Sequence, residues 1–269
     1  MIRKLALLLF ITVVMASCLH KEKSWEFERQ IELQDNIQAI GIAEESDELW
    51  LSDPDNNRLV KITKEGEVID SITGLQRPMH ITFSDQELFI PEYVSDTIRS
   101  IKNGQTGYVQ FRSRLDAPSA VAVQGDTIAV ADFYNHRVIL KIGNKEVTFS
   151  KEGHNKGELY YPTDIAIYGE EIYVADAYNH RVQVFDSNGN VLRIIGAEDG
   201  INVATGITVY KEKVFVTDFY NNRVLIYNTK GIRIQIVEGN LSKPADVLVS
   251  NKRIYIANYG SNMLTVLKK

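Results

Sequence analysis

The sequence predicts an all-β protein whose six repeats close into a ring of four-stranded antiparallel blades, a six-bladed β-propeller. The first observation is a repeat of 39 to 44 residues, measured between the acidic or amide positions Asp53, Glu92, Asp132, Asp176, Asp218 and Asn258. The second is that segments such as 172–174 and 181–185 are short, rich in β-branched and aromatic residues, and bounded by turn residues. Repeats near 40 residues form helical arrays or propeller blades, and the lack of a helical apolar stripe after Cys18 favours blades.

Each repeat is expected to contain four strands in the same order. The innermost strand follows a proline in four repeats, which fits because the first residue of a strand need not donate to the ladder. The second and third strands flank the acidic turn, and an outer strand ends each of the first five repeats. The sixth repeat stops at Leu267, and residues 27–33 show the pattern of the missing strand. We therefore expect the N-terminal strand to complete the last blade, so that the closed ring has no exposed sheet edge.

Residues 1–17 are predicted to be a signal peptide that lies outside the fold. Two basic residues precede ten apolar residues, 5–14, which is too short a run to span a bilayer. Residues 15–18, Met-Ala-Ser-Cys, resemble the lipobox of bacterial lipoproteins, in which the cysteine carries a lipid and the peptide is cut just before it. The resemblance implies a lipid on Cys18, a short tether over 18–24 and attachment to a membrane of the bacterial cell envelope. An ordinary signal peptide followed by an unrelated cysteine is the open alternative.

Charge and cysteine content limit the partners and the covalent chemistry of the predicted propeller, residues 25–269. The formal net charge is −5, and it becomes −7 without residues 1–17, which hold two basic residues and no acidic one. Because phosphate binding needs a basic surface, nucleic acid is not expected as a partner. Cys18 is the single cysteine, so the propeller has no internal disulfide and its core alone must stabilise it.

The fourth repeat resembles the NHL repeat. Residues 153–166 hold two loop glycines and a Pro-x-Asp-Ile-Ala motif, and residues 172–185 hold an Asp-x-x-Asn-x-Arg-Val-x-Val motif. The resemblance extends over 25–269, and it is strong in repeats three to five and weak in the others. It implies a six-bladed propeller. Known NHL proteins include modules that bind protein or RNA and a lyase that cleaves peptidyl-hydroxyglycine, so the fold does not fix the function.

The lyase activity is not supported by the residues that follow the leading proline, or Ala204 in its place in repeat five. In that family, zinc-binding histidines occupy this position. The corresponding residues here are Met79, Ser119, Thr163, Thr205 and Ala245. None of them is a histidine, so this departure argues against the lyase reaction.

The repeated aspartate is expected to be structural. Arginine follows it five residues later in four repeats, as in Asp176 and Arg181. In repeat two the two positions hold Glu92 and Thr97, so they change together. A carboxylate–guanidinium contact inside each blade explains this pattern, because catalysis does not need one such group in every blade.

The turns between the second and third strands carry the candidate ligand-binding residues, which are Tyr134, His136, Tyr178, His180 and Tyr220. These turns should lie on the face that carries the central opening, where aromatic and polar groups suit a peptide, a sugar or a protein loop. A structural role is the alternative, because such turn residues tolerate left-handed backbone angles and because Tyr-Asn-His-Arg is itself typical of the repeat.

His80, Asp164 and Asp246 occupy the same position near the start of the innermost strands of repeats two, four and six. Alternate blades place them around the axis with threefold spacing, so we predict that they line the channel. A histidine and two carboxylates suit a divalent ion. The alternative is a structural position, since Ala120 and Gly206 share it, and no residue is assigned as a metal ligand.

The sequence favours a non-enzymatic, lipid-anchored binding scaffold that presents one propeller face to a protein or small-molecule ligand. No catalytic residue and no cofactor is assigned, because the sequence has no nucleophile elbow, phosphate-binding loop or cysteine nucleophile. The alternative hypothesis is a metal-dependent hydrolase or lyase with its site in the central channel.

Overall fold

Six four-stranded antiparallel sheets form the protein in the computed structural model, which describes residues 23–269. This confirms the predicted six-bladed β-propeller. The signal segment 1–17 and Cys18 lie outside the described residues. Within residues 23–269, no helix is long and apolar enough to cross a membrane.

Each blade extends from an innermost strand at the axis to an outer strand at the rim. In this order, the first three blades are β2 (Gly41–Glu45), β3 (Glu48–Asp53), β4 (Arg58–Ile62) and β5 (Val68–Ile72); β6 (Thr82–Ser84), β7 (Glu87–Glu92), β8 (Thr97–Lys102) and β9 (Gln105–Tyr108); and β10 (Pro118–Gln124), β11 (Thr127–Asp132), β12 (Arg137–Ile142) and β13 (Lys145–Phe149). The last three are β14 (Pro162–Tyr168), β15 (Glu171–Asp176), β16 (Arg181–Phe185) and β17 (Val191–Ile195); β18 (Ala204–Tyr210), β19 (Lys213–Asp218), β20 (Arg223–Asn228) and β21 (Arg233–Glu238); and β22 (Pro244–Ser250), β23 (Arg253–Asn258), β24 (Met263–Lys268) and β1 (Glu26–Glu32).

The N-terminal strand closes the ring, as predicted. Strand β1 pairs with β24 from Glu26 opposite Lys268 to Glu32 opposite Met263. Ile31 is buried between the last and first blades. The two ends of the described chain are therefore joined through one antiparallel ladder, and the last blade has the same four strands as the others.

The common direction of the innermost strands gives the propeller two distinct faces. The loop face carries the turns between second and third strands and the loops that lead into the innermost strands. The terminal face carries the remaining hairpin turns. Both described chain ends lie at the terminal face, because Glu26 is opposite Lys268 and the amide of Lys269 donates to the carbonyl of Lys252 in a terminal-face turn.

Neighbouring blades share the apolar core. Among the described residues, six buried clusters each combine side chains from two adjacent blades. Phe185 and Tyr227 are two of the largest fully buried side chains. Since no blade has a complete core of its own, the stability of each depends on both neighbours.

The contact predicted between the repeated aspartate and arginine is confirmed. The Asp176 carboxylate accepts hydrogen bonds from Arg181 Nε at 2.8 Å, from Asn179 Nδ2 and from Gln183 Nε2. Its Oδ1 also accepts the amide of Tyr160, which lies in the loop before β14. Arginine makes the same bond in three other blades, to Asp53, Asp132 and Asp218. The aspartate therefore joins the loop, the turn and the third strand of one blade.

Blade two keeps this contact with different residues. Glu92 accepts from Arg99 Nε at 3.1 Å and from Arg99 Nη2 at 3.0 Å. Arg99 lies two residues beyond Thr97 on the same strand, so its side chain is on the same side of the sheet. The longer glutamate side chain reaches this more distant arginine, and the ion pair that Thr97 lacks is restored.

Candidate functional site

The residues closest to the propeller axis alternate between small and ionisable side chains. They occupy one position near the start of each innermost strand and are, in ring order, Gly41, His80, Ala120, Asp164, Gly206 and Asp246. A Cβ on Gly206 would lie 2.5 Å from the carbonyl oxygen of Ala245 and 2.7 Å from Asp246 Cα. The small residues therefore let the backbone of the next blade approach, and the three ionisable side chains share the axis.

His80, Asp164 and Asp246 converge at the axis. One possible ligand atom from each residue lies within 4.8 Å of the other two. His80 Nδ1 is 3.5 Å from Asp246 Oδ2 and 3.8 Å from Asp164 Oδ2. All three side chains are buried. Position in the repeat and ring geometry thus bring together residues that are more than 80 positions apart in sequence.

Both carboxylates are held in place by backbone amides. Asp164 accepts from its neighbour Ile165 at 2.8 Å and from Ile207 of the next blade at 2.7 Å. Asp246 accepts in the same way from Val247 at 2.7 Å and from Ile42 at 2.9 Å. Two N–H donors stabilise an ionised carboxylate and fix its direction. These bonds also connect adjacent blades, which gives the aspartates a structural role as well.

Burial and mutual charge determine protonation in this cluster. Burial lowers the pKa of His80, but the carboxylates of Asp164 and Asp246 outweigh it, and the net shift is upward. Burial raises the pKa of Asp164 to about 7, with Asp246 adding to the rise and His80 opposing it. The protonation states of His80 and Asp164 therefore depend on each other.

An axial cavity of about 360 Å³ extends from the cluster toward the terminal face. Beyond the cluster its wall combines the polar residues Glu44, Thr82 and Thr208 with apolar side chains, among them Phe83, Val123, Ile167, Val209 and Leu248. These side chains come from the second half of the innermost strands, which fixes the direction of the cavity. A small molecule that entered from the terminal face would meet the His80 cluster at the inner end.

The residues after the leading prolines connect blades. Ser119 Oγ donates to the carbonyl of Pro162 at 2.7 Å, and Thr163 Oγ1 donates to the carbonyl of Ala204 at 2.8 Å. Thr205 makes the equivalent bond to the next blade. Three of the five positions at which the resembled lyase family has zinc-binding histidines are thus used here for contacts between blades.

An aromatic patch covers the loop face of blades two to four. It consists of Tyr93, Phe133, Tyr134, Tyr160, Tyr161 and Tyr178. Neighbouring ring centroids lie 4.7 to 6.2 Å apart, in tilted or edge-to-face arrangements. Tyr134 and Tyr178 are each 49% exposed, although they contact other rings. The patch is therefore a preorganised surface of large side chains that solvent can reach.

A second aromatic group extends the loop face over blades five and six. Phe219 packs edge-to-face on Tyr220 at 5.0 Å and lies 6.2 Å from Tyr259. The Tyr259 hydroxyl donates to Asp55 in the first blade. Tyr220 is exposed, as are Tyr134 and Tyr178, so all three predicted tyrosines are available on one face.

His136 and His180 occupy the same position in the turns of blades three and four, and each accepts a hydrogen bond from the following blade. Each has a left-handed backbone, with φ of 51° and 57°. His136 Nδ1 accepts the amide of Tyr161 at 3.0 Å, and His180 Nδ1 accepts that of Val203 at 3.2 Å. Burial lowers the pKa of His136, which suits a neutral ring that accepts at Nδ1. His136 is buried, whereas His180 is exposed.

Other residues at this position make the same contact. The oxygen acceptors Asn57, Asp96 and Asn222 each bind an amide of the following blade. Histidine therefore replaces an Asn or Asp oxygen with a ring nitrogen. Ligand binding by His136 and His180 stays a prediction. The hydrogen bond to the following blade already gives both histidines a structural role.

Four members of the aromatic patch were not among the predicted site residues: Tyr93, Phe133, Tyr160 and Tyr161. Tyr160 and Tyr161 lie in the loop before β14, outside the turns in which the tyrosines repeat. The adjacent pair of tyrosines directly before Pro162 is the signal that could have indicated them. The contact of Tyr161 with Phe133 depends on the spacing of adjacent blades.

Comparison with known proteins supports the propeller fold and identifies one of the six repeats as an NHL repeat. The NHL repeat family matches residues 159–185, in the fourth blade. No curated protein matches the chain. A streptogramin B lyase structure is 13% identical, with a TM-score of 0.68 over 89% of this chain and 83% of that one.

Two further solved structures are similar. Virginiamycin B lyase from Staphylococcus aureus is 14% identical, with a TM-score of 0.67 over 91% of this chain and 100% of that one. A chain of a nidogen–laminin complex is 17% identical, with a TM-score of 0.66 over 81% of this chain and 88% of that one. At such identities the likeness concerns the fold alone. The chain therefore contains an NHL repeat at residues 159–185 and folds as a six-bladed β-propeller.

Proposed function

We propose that this propeller is a lipid-anchored binding scaffold of the bacterial cell envelope and that its ligand docks on the loop face. The observation that carries the proposal is the aromatic patch, a continuous set of six rings with Tyr134 and Tyr178 half exposed. Exposed clusters of large apolar side chains are uncommon on soluble proteins and usually mark binding surfaces, because they do not contribute to the stability of the core.

A protein segment is the ligand class that this surface fits best. Tyrosine is enriched at the centres of protein interfaces, because it supplies a large contact area and a hydroxyl at small cost in side-chain entropy. Ring-to-ring contacts reduce that cost further by holding Tyr134 and Tyr178 in place before binding. The net negative charge of the chain argues against nucleic acid in this role.

The proposed anchor is consistent with this orientation. Strand β1 starts at the terminal face with Glu26, and Glu26 is the eighth residue after Cys18. A chain of that length reaches about 28 Å at most. A lipid on Cys18 would therefore keep the terminal face near the membrane and turn the loop face away from it, toward soluble or envelope partners.

Replacing Cys18 with serine tests the anchor. We expect the unchanged protein to incorporate a fatty-acid label and to sediment with membranes, and the C18S protein to do neither. A protein that carries no lipid label, or that stays in the membrane fraction after the change, contradicts lipid anchoring without affecting the proposed binding face.

Alanine at Tyr134 or Tyr178 tests the binding face. A photo-crosslinker placed next to Tyr178 first identifies the partner, and titration of that purified partner then measures affinity. We expect each alanine to weaken binding roughly 30-fold, the loss of about 2 kcal/mol that is typical of a central interface tyrosine. Thermal unfolding should change little, since both side chains are half exposed.

Tyr108→Ala is the matched control. Tyr108 is 48% exposed but lies on the outer strand β9, away from the patch. His180→Asn serves a second purpose, because asparagine keeps the contact between blades and removes the imidazole. Equal affinity for the Tyr134, Tyr178 and Tyr108 variants would refute the proposed face, and a loss in His180→Asn would add that histidine to the ligand contacts.

A metal-dependent hydrolase or lyase is the second candidate function. The observation that favours it is the meeting of His80, Asp164 and Asp246 at the inner end of an open axial cavity. A lyase activity is named for two of the similar structures, at 13% and 14% identity. This hypothesis requires a metal ion at the cluster, and it uses the terminal face and not the aromatic patch.

A further inference from the structure

We infer that His80, Asp164 and Asp246 bind one divalent transition-metal ion of the zinc class at the propeller axis. The inference is independent of the proposed partner on the loop face. It is a precondition for the second candidate function, but it does not rest on that function, because a bound ion would also connect blades two, four and six.

The donor spacing is close to what such an ion needs. Zinc binds His nitrogen and carboxylate oxygen at about 2.0–2.2 Å, which puts tetrahedral donors about 3.4 Å apart. His80 Nδ1 lies 3.5 and 3.8 Å from the Oδ2 atoms of the two aspartates. Small rotations of the three side chains would complete the arrangement.

An unpartnered buried nitrogen points independently to a ligand. His80 is only 4% exposed, and its Nδ1 atom makes no hydrogen bond. It faces two carboxylate oxygens at distances that are long or poorly directed for hydrogen bonds. A buried polar atom without a partner is costly, and an ion between the nitrogen and the two oxygens would satisfy all three.

Charge and rigidity also fit a dication. When both carboxylates are ionised and the imidazole is neutral, as metal binding requires, the three ligands carry a charge of −2 in a buried space, and a divalent ion neutralises it. The aspartates cannot easily move apart, because amides of Ile165, Ile207, Val247 and Ile42 hold their four oxygens. Fixed outer contacts of this kind orient metal ligands and raise affinity.

The donor set selects the class of ion. Imidazole with carboxylates suits Zn²⁺, Mn²⁺ or Fe²⁺, whereas Ca²⁺ takes six to eight oxygen ligands. Three protein donors leave further coordination positions directed to the axial cavity, which also gives the ion a route in. Zn²⁺ is therefore the first ion to test, with Mn²⁺ next and Ca²⁺ as the contrast.

The experiment uses the full chain, purified in detergent, stripped with a chelator and reloaded with Zn²⁺. We expect about one ion per chain by elemental analysis and a rise in the unfolding temperature on reloading. Co²⁺ in place of Zn²⁺ should give visible absorption typical of a nitrogen–oxygen site. His80→Ala should lower affinity at least about 100-fold and abolish the Co²⁺ spectrum.

His154→Ala is the matched control, since His154 is an exposed histidine on the loop face. Its ion content and spectrum should equal those of the unchanged protein. If His80→Ala does not fold, Asp246→Asn replaces it, because the amide has the same shape, keeps one of the two backbone hydrogen bonds and removes the negative charge. The inference fails if neither Zn²⁺ nor Mn²⁺ binds, if only Ca²⁺ binds, or if the ion persists with unchanged affinity in the His80 or Asp246 variant.

Discussion

A variant that begins at Gln34 is expected to lose cooperative folding, whereas one that begins at Lys23 should keep it. The shorter chain lacks β1 and with it Trp25, Ile31 and Leu33, three buried apolar side chains. Burial of each contributes about 1.5–3 kcal/mol. Their sum approaches the 5–15 kcal/mol by which a typical domain is stable. The loss also removes the β1–β24 ladder and exposes the edge of β24.

Thermal unfolding followed by circular dichroism compares the two variants. A peptide of residues 23–35, added in trans, should partly restore a cooperative transition, since the missing strand can pair with β24 without a covalent link. Phe27→Ala is the control within the same strand, because Phe27 is exposed and should change stability little. A cooperative transition at the same temperature without β1 would show that ring closure is not what stabilises the last blade.

The blades and their closure could be predicted because they follow from local patterns. Alternation and turn residues define each strand, and a sequential hairpin needs no knowledge of distant residues. The closing strand was also predictable, since residues 27–33 have the pattern of an outer strand and the sixth repeat lacks one. Pairing of β1 with β24 is then the single arrangement that leaves no open edge.

Substitutions within the repeat were harder to interpret. Thr97 stands where other blades have arginine, and this suggests a lost ion pair. The pair is kept by Arg99, because Glu92 is one methylene longer than aspartate and side chains two residues apart share a face of the strand. Alignment of the repeats compares one position at a time. It therefore does not detect a contact that is made by a residue two positions further along the strand.

The axial cluster was predictable in position but not in its contacts. His80, Asp164 and Asp246 share one position of the repeat, and ring symmetry brings shared positions together. The amides of Ile207 and Ile42 that hold the carboxylates come from the following blades, and their direction depends on the exact approach of two strands. The direction of the cavity likewise depends on side-chain size along all six innermost strands.

The aromatic patch was predicted only where it coincides with the repeat. Tyr134 and Tyr178 occupy equivalent turns, so they were found together. Tyr161 belongs to a loop without a repeat pattern, and its ring reaches both turns only because adjacent blades are close together. Surfaces made from loops of different blades depend on distances that a single sequence does not report.

Replacing Asp176 with alanine is expected to destabilise the protein by about 3–5 kcal/mol, the cost of removing one partner from a buried ion pair. The carboxylate is fully buried and is the acceptor for Arg181, Asn179, Gln183 and the amide of Tyr160. Alanine leaves these donors without their acceptor, and the guanidinium loses its counter-charge. Chemical denaturation should show the loss as a lower midpoint at an unchanged slope.

Asp70→Ala is the matched control, because Asp70 is an exposed aspartate on the outer strand β5 whose carboxylate accepts from the adjacent amide of Ser71. It should change the free energy of unfolding by no more than about 0.5 kcal/mol. Arg181→Ala and the double variant complete a cycle. Because removal of both partners leaves no unpaired charge, the double variant should lose less than the two single changes added together. Additive losses would mean that Asp176 stabilises the blade through its amide contacts alone, and a small loss in Asp176→Ala would show that the repeated aspartate is kept for a purpose other than stability.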